Sequence, residues 1–165
     1  MTYINQIKTH IKDIPDFPKK GITFKDIQPL LSDPILFSHT ITSIGKLTKT
    51  IPDYWVGIES RGFIFASSLA MKYRAGIKLI RKPGKLPPPI ISKSYDLEYG
   101  SDTIEVCPGK GTVVIVDDVY ATGGTMSAAV NLCEEAGYTV IDKLTLIDLT
   151  FLHGETNVKS LIKYE

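Results

Sequence analysis

Apolar residues along this chain follow two rhythms. Ile4, Ile7, Ile11 and Ile14 recur at helical spacing, which predicts a short amphipathic N-terminal helix ended by Pro15 and Pro18. The stretch "SDPILF" predicts a second helix. Ser32 or Asp33 would cap it, and Pro34 suits its first turn, where the missing N–H has no partner to lose. That helix should run to about Lys49.

From Tyr54 onward the rhythm changes. Short apolar runs, "YWVGI", "IKLIR", "TVVIVDD" and "TVIDKLTLIDL", read as strands, and "VKSLIKY" as a last edge strand. Between them "GFIFASSLAMKYR" and "GTMSAAVNLCEEAG" read as helices. Continuously apolar strands alternating with helices predict an α/β fold whose mostly parallel central sheet is covered by helices. One stretch interrupts the alternation: residues 82–106, "KPGKLPPPIISKSYDLEYGSDTIEV", are rich in Pro, Gly and polar residues. They hold two short strand patterns, near residues 90–95 and 101–106, and predict a hairpin outside the main sheet that serves as a lid.

The 165 residues suffice for one domain with a real core, and 43% hydrophobic against 22% charged residues is the composition of an ordinary globule. A net charge of +1 lends no support to broad nucleic-acid binding. No apolar run approaches the length a bilayer helix needs, and "MTYINQIKTHIK" lacks the apolar core of a secretory signal. Cys107 and Cys133 stand apart without a CxxC pair, which is simplest for a reduced, cytoplasmic protein. His10, His39 and His153 lack metal-ligand spacing.

The chemistry concentrates in "VVIVDDVYATGGT", residues 113–125. Ligands of open parallel sheets bind beyond the carboxyl ends of the strands, where Asp117 and Asp118 fall. The small residues after them let backbone amides approach an anion, and the following helix N-terminus adds a favourable dipole. Thr122 and Thr125 offer hydroxyl donors. Carboxylates would repel the phosphate held by that loop, so they must face something else, and vicinal hydroxyls suit them because ionised carboxylates only accept hydrogen bonds. A sugar phosphate satisfies both halves. The blander reading keeps the acids as magnesium ligands or helix caps only. Neither GxxxxGK[ST] nor GxGxxG occurs; in "PGKGT" Gly111 stands where Ser or Thr should follow the lysine.

These residues resemble the signature of the type I phosphoribosyltransferases. Three further stretches, "DFPKKGITFKDIQPLL", "ESRGFIFASSLA" and "RKPGKLP" with "SYDLEYG", are similar to the adenine-specific branch of that family, so the resemblance runs from about Ile14 to Glu165. It implies transfer of ribose 5-phosphate from phosphoribosyl pyrophosphate (PRPP) to adenine, giving AMP and pyrophosphate in purine salvage. Mg²⁺ would be the cofactor, held mainly through the substrate's pyrophosphate and ribose hydroxyls rather than by protein ligands. It also implies a small hood at about residues 14–31, a mobile flap at about 83–106, and a homodimer, with no nucleic-acid or membrane partner.

Carried over residue by residue, the resemblance assigns Ala121, Thr122, Gly123, Gly124 and Thr125 to the 5-phosphate, and Asp117 and Asp118 to the ribose hydroxyls. Glu59, Ser60 and Arg61 would form the pyrophosphate loop, with a cis Glu59–Ser60 peptide. Arginine suits a polyanion because its planar fork pairs two oxygens at once. Lys82 and Lys85 would balance the leaving pyrophosphate, and Arg81 would act in its own site or across a dimer interface. Without the family, that cluster is a solvated basic turn. Phe24 would stack on adenine, though core packing serves it equally by residue type. Thr23 and Lys25 would read the base edge through the main chain, and Leu149 would line the opposite face of the base. Glu98 and Tyr99 match the flap pair, with Glu98 moving a proton on the adenine imidazole.

The chain departs from the family pattern at Val119–Tyr120, where Leu-Leu is common, at Lys25, where arginine is common, and in a shortened stretch before Pro108. Two alternatives stand beside the transferase: a non-catalytic PRPP sensor of the same fold, and a transferase for another purine. Oxopurine relatives place a lysine near the exocyclic oxygen, and "LIDLTF" offers none there.

Overall fold

The computed structural model describes residues 3–96 and 100–165. The chain forms two compact units, residues 1–43 and 44–165.

The first unit holds α1 (Tyr3–Thr9), the antiparallel pair β1 (Lys12–Ile14) and β2 (Phe24–Asp26), α2 (Gln28–Ser32) and most of α3 (Pro34–Gly45). α1 is shorter than the isoleucine spacing predicts. Side chains take up its last carbonyls: Thr9 Oγ1 donates to Gln6 O, and Lys12 Nζ donates to Thr9 O at 2.9 Å. Residues 12–14 then leave the helix to pair with 24–26, Asp13 opposite Lys25, and Lys25 Nζ lies 2.6 Å from Asp13 Oδ1. Ile7 and Ile11 are buried, whereas Ile14 is exposed on the strand. Asp33 is the cap of α3: its Oδ1 accepts the N–H groups of Ile35 and Leu36 at 3.0 and 2.9 Å. α3 stops at Gly45 instead of Lys49, and the chain goes on through turns. A side chain at Gly45 would collide with the Tyr73 ring, 2.3 Å from its hydroxyl. α2 and the β1–β2 pair are too short to leave a periodic signal, and their pairing partner is ten residues away.

The second unit is built from β3 (Tyr54–Ile58), α4 (Gly62–Tyr73), β4 (Gly76–Ile80), β5 (Ile91–Asp96), β6 (Ser101–Val106), β7 (Gly111–Tyr120), α5 (Gly124–Glu135), β8 (Tyr138–Leu149) and β9 (Lys159–Tyr164). Five strands form one sheet in the order β4-β3-β7-β8-β9, every neighbouring pair parallel. Val113, Val114, Ile115 and Val116 are wholly buried at its centre, which is why that run is apolar at every position and not at alternate ones. β9 is the edge strand, as predicted.

Two boundaries differ from the sequence reading. β7 continues past the acid pair to Tyr120, because the long β8 supplies partners that far: Asp117 faces Thr145 and Tyr120 faces Asp148. β5 and β6 form a separate antiparallel hairpin, but not one wholly outside the core. Ile104 and Val106 of β6 are buried in the cluster that includes Met126, Leu132 and Cys133. Cys133 is a core residue, and burial pushes its thiol up to about 12. Among the described residues, no helix is long and apolar enough to cross a membrane.

Candidate active site

The site belongs to the second unit, and the sheet order builds it. Parallel strands place all their carboxyl ends at one edge, and β4, β3 and β7 are consecutive there. The segments that follow them, Arg81–Lys82, Glu59–Ser60–Arg61 and the Asp117–Asp118 end of β7, therefore converge although they lie far apart in sequence. Together with β5 and β6 they line a cleft of about 370 Å³. Gly62 is what lets the β3–α4 connection sit so close. A Cβ there would stand 2.7 Å from Val116 O and 3.1 Å from Asp117 Oδ1. The Glu59–Ser60 peptide is cis, as expected.

A second recess of about 80 Å³ adjoins the first and shares Asp117 and Thr125 with it. Ala121, Thr122 and Gly123 form its wall. Gly123 is the cap of α5 and has φ +91°, a conformation that favours glycine. α5 begins at Gly124, so its unpaired N–H groups face this end of the loop, where an anion is favoured.

Each cation of the site is paired with an acid. Arg61 Nε lies 2.7 Å from Asp118 Oδ2. Glu59 gathers three donors: Lys85 Nζ at 2.5 Å, Arg81 Nε at 3.3 Å and the Lys82 N–H at 2.8 Å. Lys82 Nζ pairs with Asp102 on the hairpin. These pairs leave the cleft close to neutral, and any anion bound there would have to displace protein carboxylates from the cations.

The pairs also set protonation. Lys85, with help from Lys82 and Arg81, holds Glu59 down at about 2. Asp102 is lowered chiefly by Lys82. Asp117 is pushed well above the ordinary carboxylate range by burial and then by the charge of Asp118. Asp118 is raised by burial, with Arg61 opposing the rise. Asp118 N–H donates to Asp117 Oδ1 at 2.9 Å, so the two acids form one unit.

Glu59 gives a testable pH dependence. Its pKa is depressed in the folded protein, so its contribution to stability is present above the unfolded value near 4.5 and fades as pH falls toward about 2. The full shift would correspond to about 3 kcal/mol, and solvent screening around half-exposed Lys85 reduces it toward about 1 kcal/mol. Urea unfolding of Glu59→Gln at pH 7 should show that loss, and the gap to the parent should shrink as pH is lowered through this window. A constant gap would refute the assignment.

The predicted residues divide into those the fold unites and those it does not. Ser60, Arg61, Lys82, Asp117, Asp118 and the loop residues share the two recesses, with Gly124 starting α5 beside them. Lys85 and Arg81 reach the site through Glu59, and Arg81 pairs within its own chain. Leu149 ends β8, is buried and lines neither recess. Thr23, Phe24 and Lys25 belong to the first unit. There Thr23 is exposed, Phe24 meets Phe17 edge-on at 5.2 Å, and the buried Lys25 bonds to Asp13. Glu98 and Tyr99 lie outside the described residues.

Two polar residues lining the larger cleft escaped the sequence reading. Tyr95 and Asp102 face each other in the hairpin register, and Tyr95 Oη lies 3.3 Å from Thr125 Oγ1, tying β5 to the N-terminal end of α5. The alternating burial of β5 carried the signal for Tyr95. Asp102 had none, since only its pairing with Lys82 marks it.

Among the described residues, no group of three or more His, Cys, Asp or Glu side chains could hold a metal ion. Arg61 already meets the acid pair at Asp118, so a divalent cation here would be held mainly through a bound ligand, since Mg²⁺ commonly takes one or two carboxylates together with substrate phosphates.

The chain is similar to several known proteins. Residues 43–150 match the model of the phosphoribosyl transferase domain. The chain is 49% identical over 163 residues to the adenine phosphoribosyltransferase of Bdellovibrio bacteriovorus, covering 96% of this chain and 99% of that one. The crystal structure of adenine phosphoribosyltransferase from Thermoanaerobacter pseudethanolicus superposes with a TM-score of 0.91 at 43% identity, covering 98% of this chain and 99% of that one. The Saccharomyces cerevisiae enzyme, solved with an imino-altritol bisphosphate and adenine, gives a TM-score of 0.87 at 34% identity over 97% and 98% of the two chains.

Proposed function

The chain belongs to the adenine phosphoribosyltransferase family, and from that premise we propose that it transfers ribose 5-phosphate from PRPP to adenine, releasing pyrophosphate and forming AMP. The observation that carries the reading is the juxtaposition of a small-residue anion loop, a buried acid pair and a paired cluster of cations around one cleft. A ligand with a phosphate at one end, hydroxyls in the middle and a pyrophosphate at the other meets all three.

In this reading residues 121–125 hold the 5-phosphate through backbone N–H groups, and Asp117 and Asp118 accept from the ribose hydroxyls. Arg61, Lys82 and Lys85 exchange their carboxylate partners for pyrophosphate oxygens. Negative charge grows on pyrophosphate as the bond to C1 of the ribose lengthens, and fixed cations favour that state over the ground state. Mg²⁺, when bound with substrate, supplies further charge neutralisation at the pyrophosphate. The sugar gains oxocarbenium character beside the acid pair, which holds it for attack on one face. The family resemblance assigns Phe24 to packing on the base, Thr23 and Lys25 to reading its edge through the main chain, and Leu149 to lining it as well. Residues of about 14–31 act as the hood, and those of about 83–106 as a flap that closes the site, with Glu98 and Tyr99 on it.

The same reading includes a homodimer in the cytoplasm. Two unpaired cysteines suit a reducing compartment. Light scattering at micromolar concentration tests the dimer.

Adenine carries an amino donor where oxopurines carry a carbonyl, and no lysine stands in "LIDLTF" to meet a carbonyl. Competition among adenine, hypoxanthine, guanine and xanthine in one PRPP assay should give AMP in excess of any other product by at least about a hundredfold. Preference for an oxopurine would overturn the adenine assignment, and PRPP binding without pyrophosphate release would favour a sensor.

A further inference from the structure

Tyr120 ends β7 immediately before the small-residue loop. Its hydroxyl covers Gly123, and a Cβ at Gly123 would meet it at 2.5 Å. Thr156 Oγ1 donates to the same hydroxyl at 3.2 Å. His153 stands edge-on to the Tyr120 ring, 4.6 Å between centroids and 74° between planes. The ring of Tyr120 is thus held between the loop on one side and the segment after β8 on the other.

His153 has an acceptor at each nitrogen. Nε2 lies 2.7 Å from Asp148 Oδ1, and Nδ1 lies 2.6 Å from Gly154 O. A neutral imidazole has one N–H, so both bonds form only with the imidazolium. Asp148 is 1% exposed, and its Oδ2 has no hydrogen-bond partner among the described residues. A buried carboxylate needs a counter-charge, and His153 supplies it. The other charged group that bears on His153 is Lys163, the cross-strand neighbour of Asp148 on β9, which opposes protonation; Tyr120 is the titratable group on its ring edge. The two bonds outweigh Lys163, so the His153 pKa is raised.

We propose that Asp148, the His153 imidazolium and Tyr120 form a chain of positioning residues that sets the anion loop at residues 121–125, so that its affinity for a sugar phosphate depends on the charge of His153. The proposal rests on reading that loop as the 5-phosphate site. Tyr120 lines the smaller recess, and none of the three residues lines the larger cleft. Asp148 fixes the ring of His153, His153 fixes the ring of Tyr120, and Tyr120 bears on Gly123. Loss of the proton from His153 breaks one of its two bonds and lets the ring turn, which frees Tyr120 and loosens the loop.

The sign follows from the raised pKa. The charged, ordering form is complete at low pH and is lost as pH rises through the folded-state value. A sugar phosphate is almost fully dianionic above about pH 7, so the ligand itself adds little change beyond that point.

Calorimetric titration with ribose 5-phosphate tests this, with circular dichroism confirming that each variant is folded. The parent should bind more weakly as pH is raised from about 7 to about 9. His153→Gln should bind about tenfold more weakly at pH 7 and show no pH dependence over that range. Equal affinity and an unchanged pH profile in His153→Gln would overturn the proposal. If that variant does not fold, His153→Lys carries the test, because lysine keeps its charge to about pH 10. A flat profile supports the proposal, and the parent's decline persisting in His153→Lys overturns it. Failure of the transferase reading shows separately, as a parent that binds ribose 5-phosphate yet forms no AMP from adenine and PRPP. A parent that binds no ribose 5-phosphate removes the loop assignment and the proposal with it.

Discussion

Arg61→Ala should lower kcat by about two to three orders of magnitude, the usual cost of removing one preorganised group aimed at developing negative charge. Two losses combine in this variant. The guanidinium follows β3 at the start of α4 and lies at the cleft, where the proposed pyrophosphate departs. It is also the partner of Asp118, which is 5% exposed. Without Arg61 the largest effect opposing protonation disappears, so Asp118 takes up a proton more readily and a hydroxyl-accepting group becomes a donor. The Arg61→Lys variant separates the two. Lysine restores a positive charge for Asp118 but lacks the planar fork for a pyrophosphate, so it should recover stability more fully than turnover. Steady-state kcat and the KM for PRPP at saturating adenine, with thermal melts of all three proteins, check this. A kcat within threefold of the parent in Arg61→Ala would remove Arg61 from the pyrophosphate site.

Glu98→Ala should lower kcat by about 10²–10³ while changing the PRPP KM by less than about threefold, as expected of a group that moves a proton in the transition state and does not bind the donor. The assignment of Glu98 comes from the "YDLEYG" resemblance. Glu98 follows β5 closely in the chain, and Tyr95 of β5 already lines the cleft and bonds toward Thr125. The base has an N9 proton to lose as the glycosidic bond forms, and closure of the hairpin would exclude the water that otherwise competes. Glu98→Gln distinguishes the roles, since glutamine keeps the shape and hydrogen bonding but cannot take the proton. Equal losses in alanine and glutamine variants support proton transfer. Near-parent turnover in Glu98→Gln would leave only a packing role.

What the chain discloses locally and what it conceals differ in a consistent way. The strands of the parallel sheet were readable because each is long enough, and buried enough on both faces, to be apolar at every position; "VVIV" at 0% exposure is the plainest case. The helices α4 and α5 were readable because they alternate with those strands. The end of α1 was not, since four isoleucines at helical spacing describe the helix equally well with or without its last turn. The departure at Lys12 depends on a partner strand beginning at Phe24. The hairpin was placed correctly, yet its share in the core was invisible because Ile104 and Val106 stand in a segment dominated by Pro, Gly and polar residues.

The site shows the same division. Asp117, Asp118 and residues 121–125 fall within nine residues, and opposing charge preferences that close together pointed to a sugar phosphate. Tyr120, the bulky departure from the pattern in that motif, had no local explanation. Its partners, His153 and Thr156, are more than thirty residues away and come within reach only because β8 lies beside β7 and the chain turns back after Leu149. The pairing of every site cation with an acid was equally hidden, because Glu59 meets Lys85 and Lys82 meets Asp102 across the ends of different strands. Residue order determined the strands of the parallel sheet, α4, α5, the acid pair and the glycine-rich loop, since these depend on burial periodicity and backbone freedom within a few residues. Tertiary structure decided which charges neutralise one another and which ring supports the loop, since those depend on strand order, which brings the carboxyl ends of separate strands to one edge.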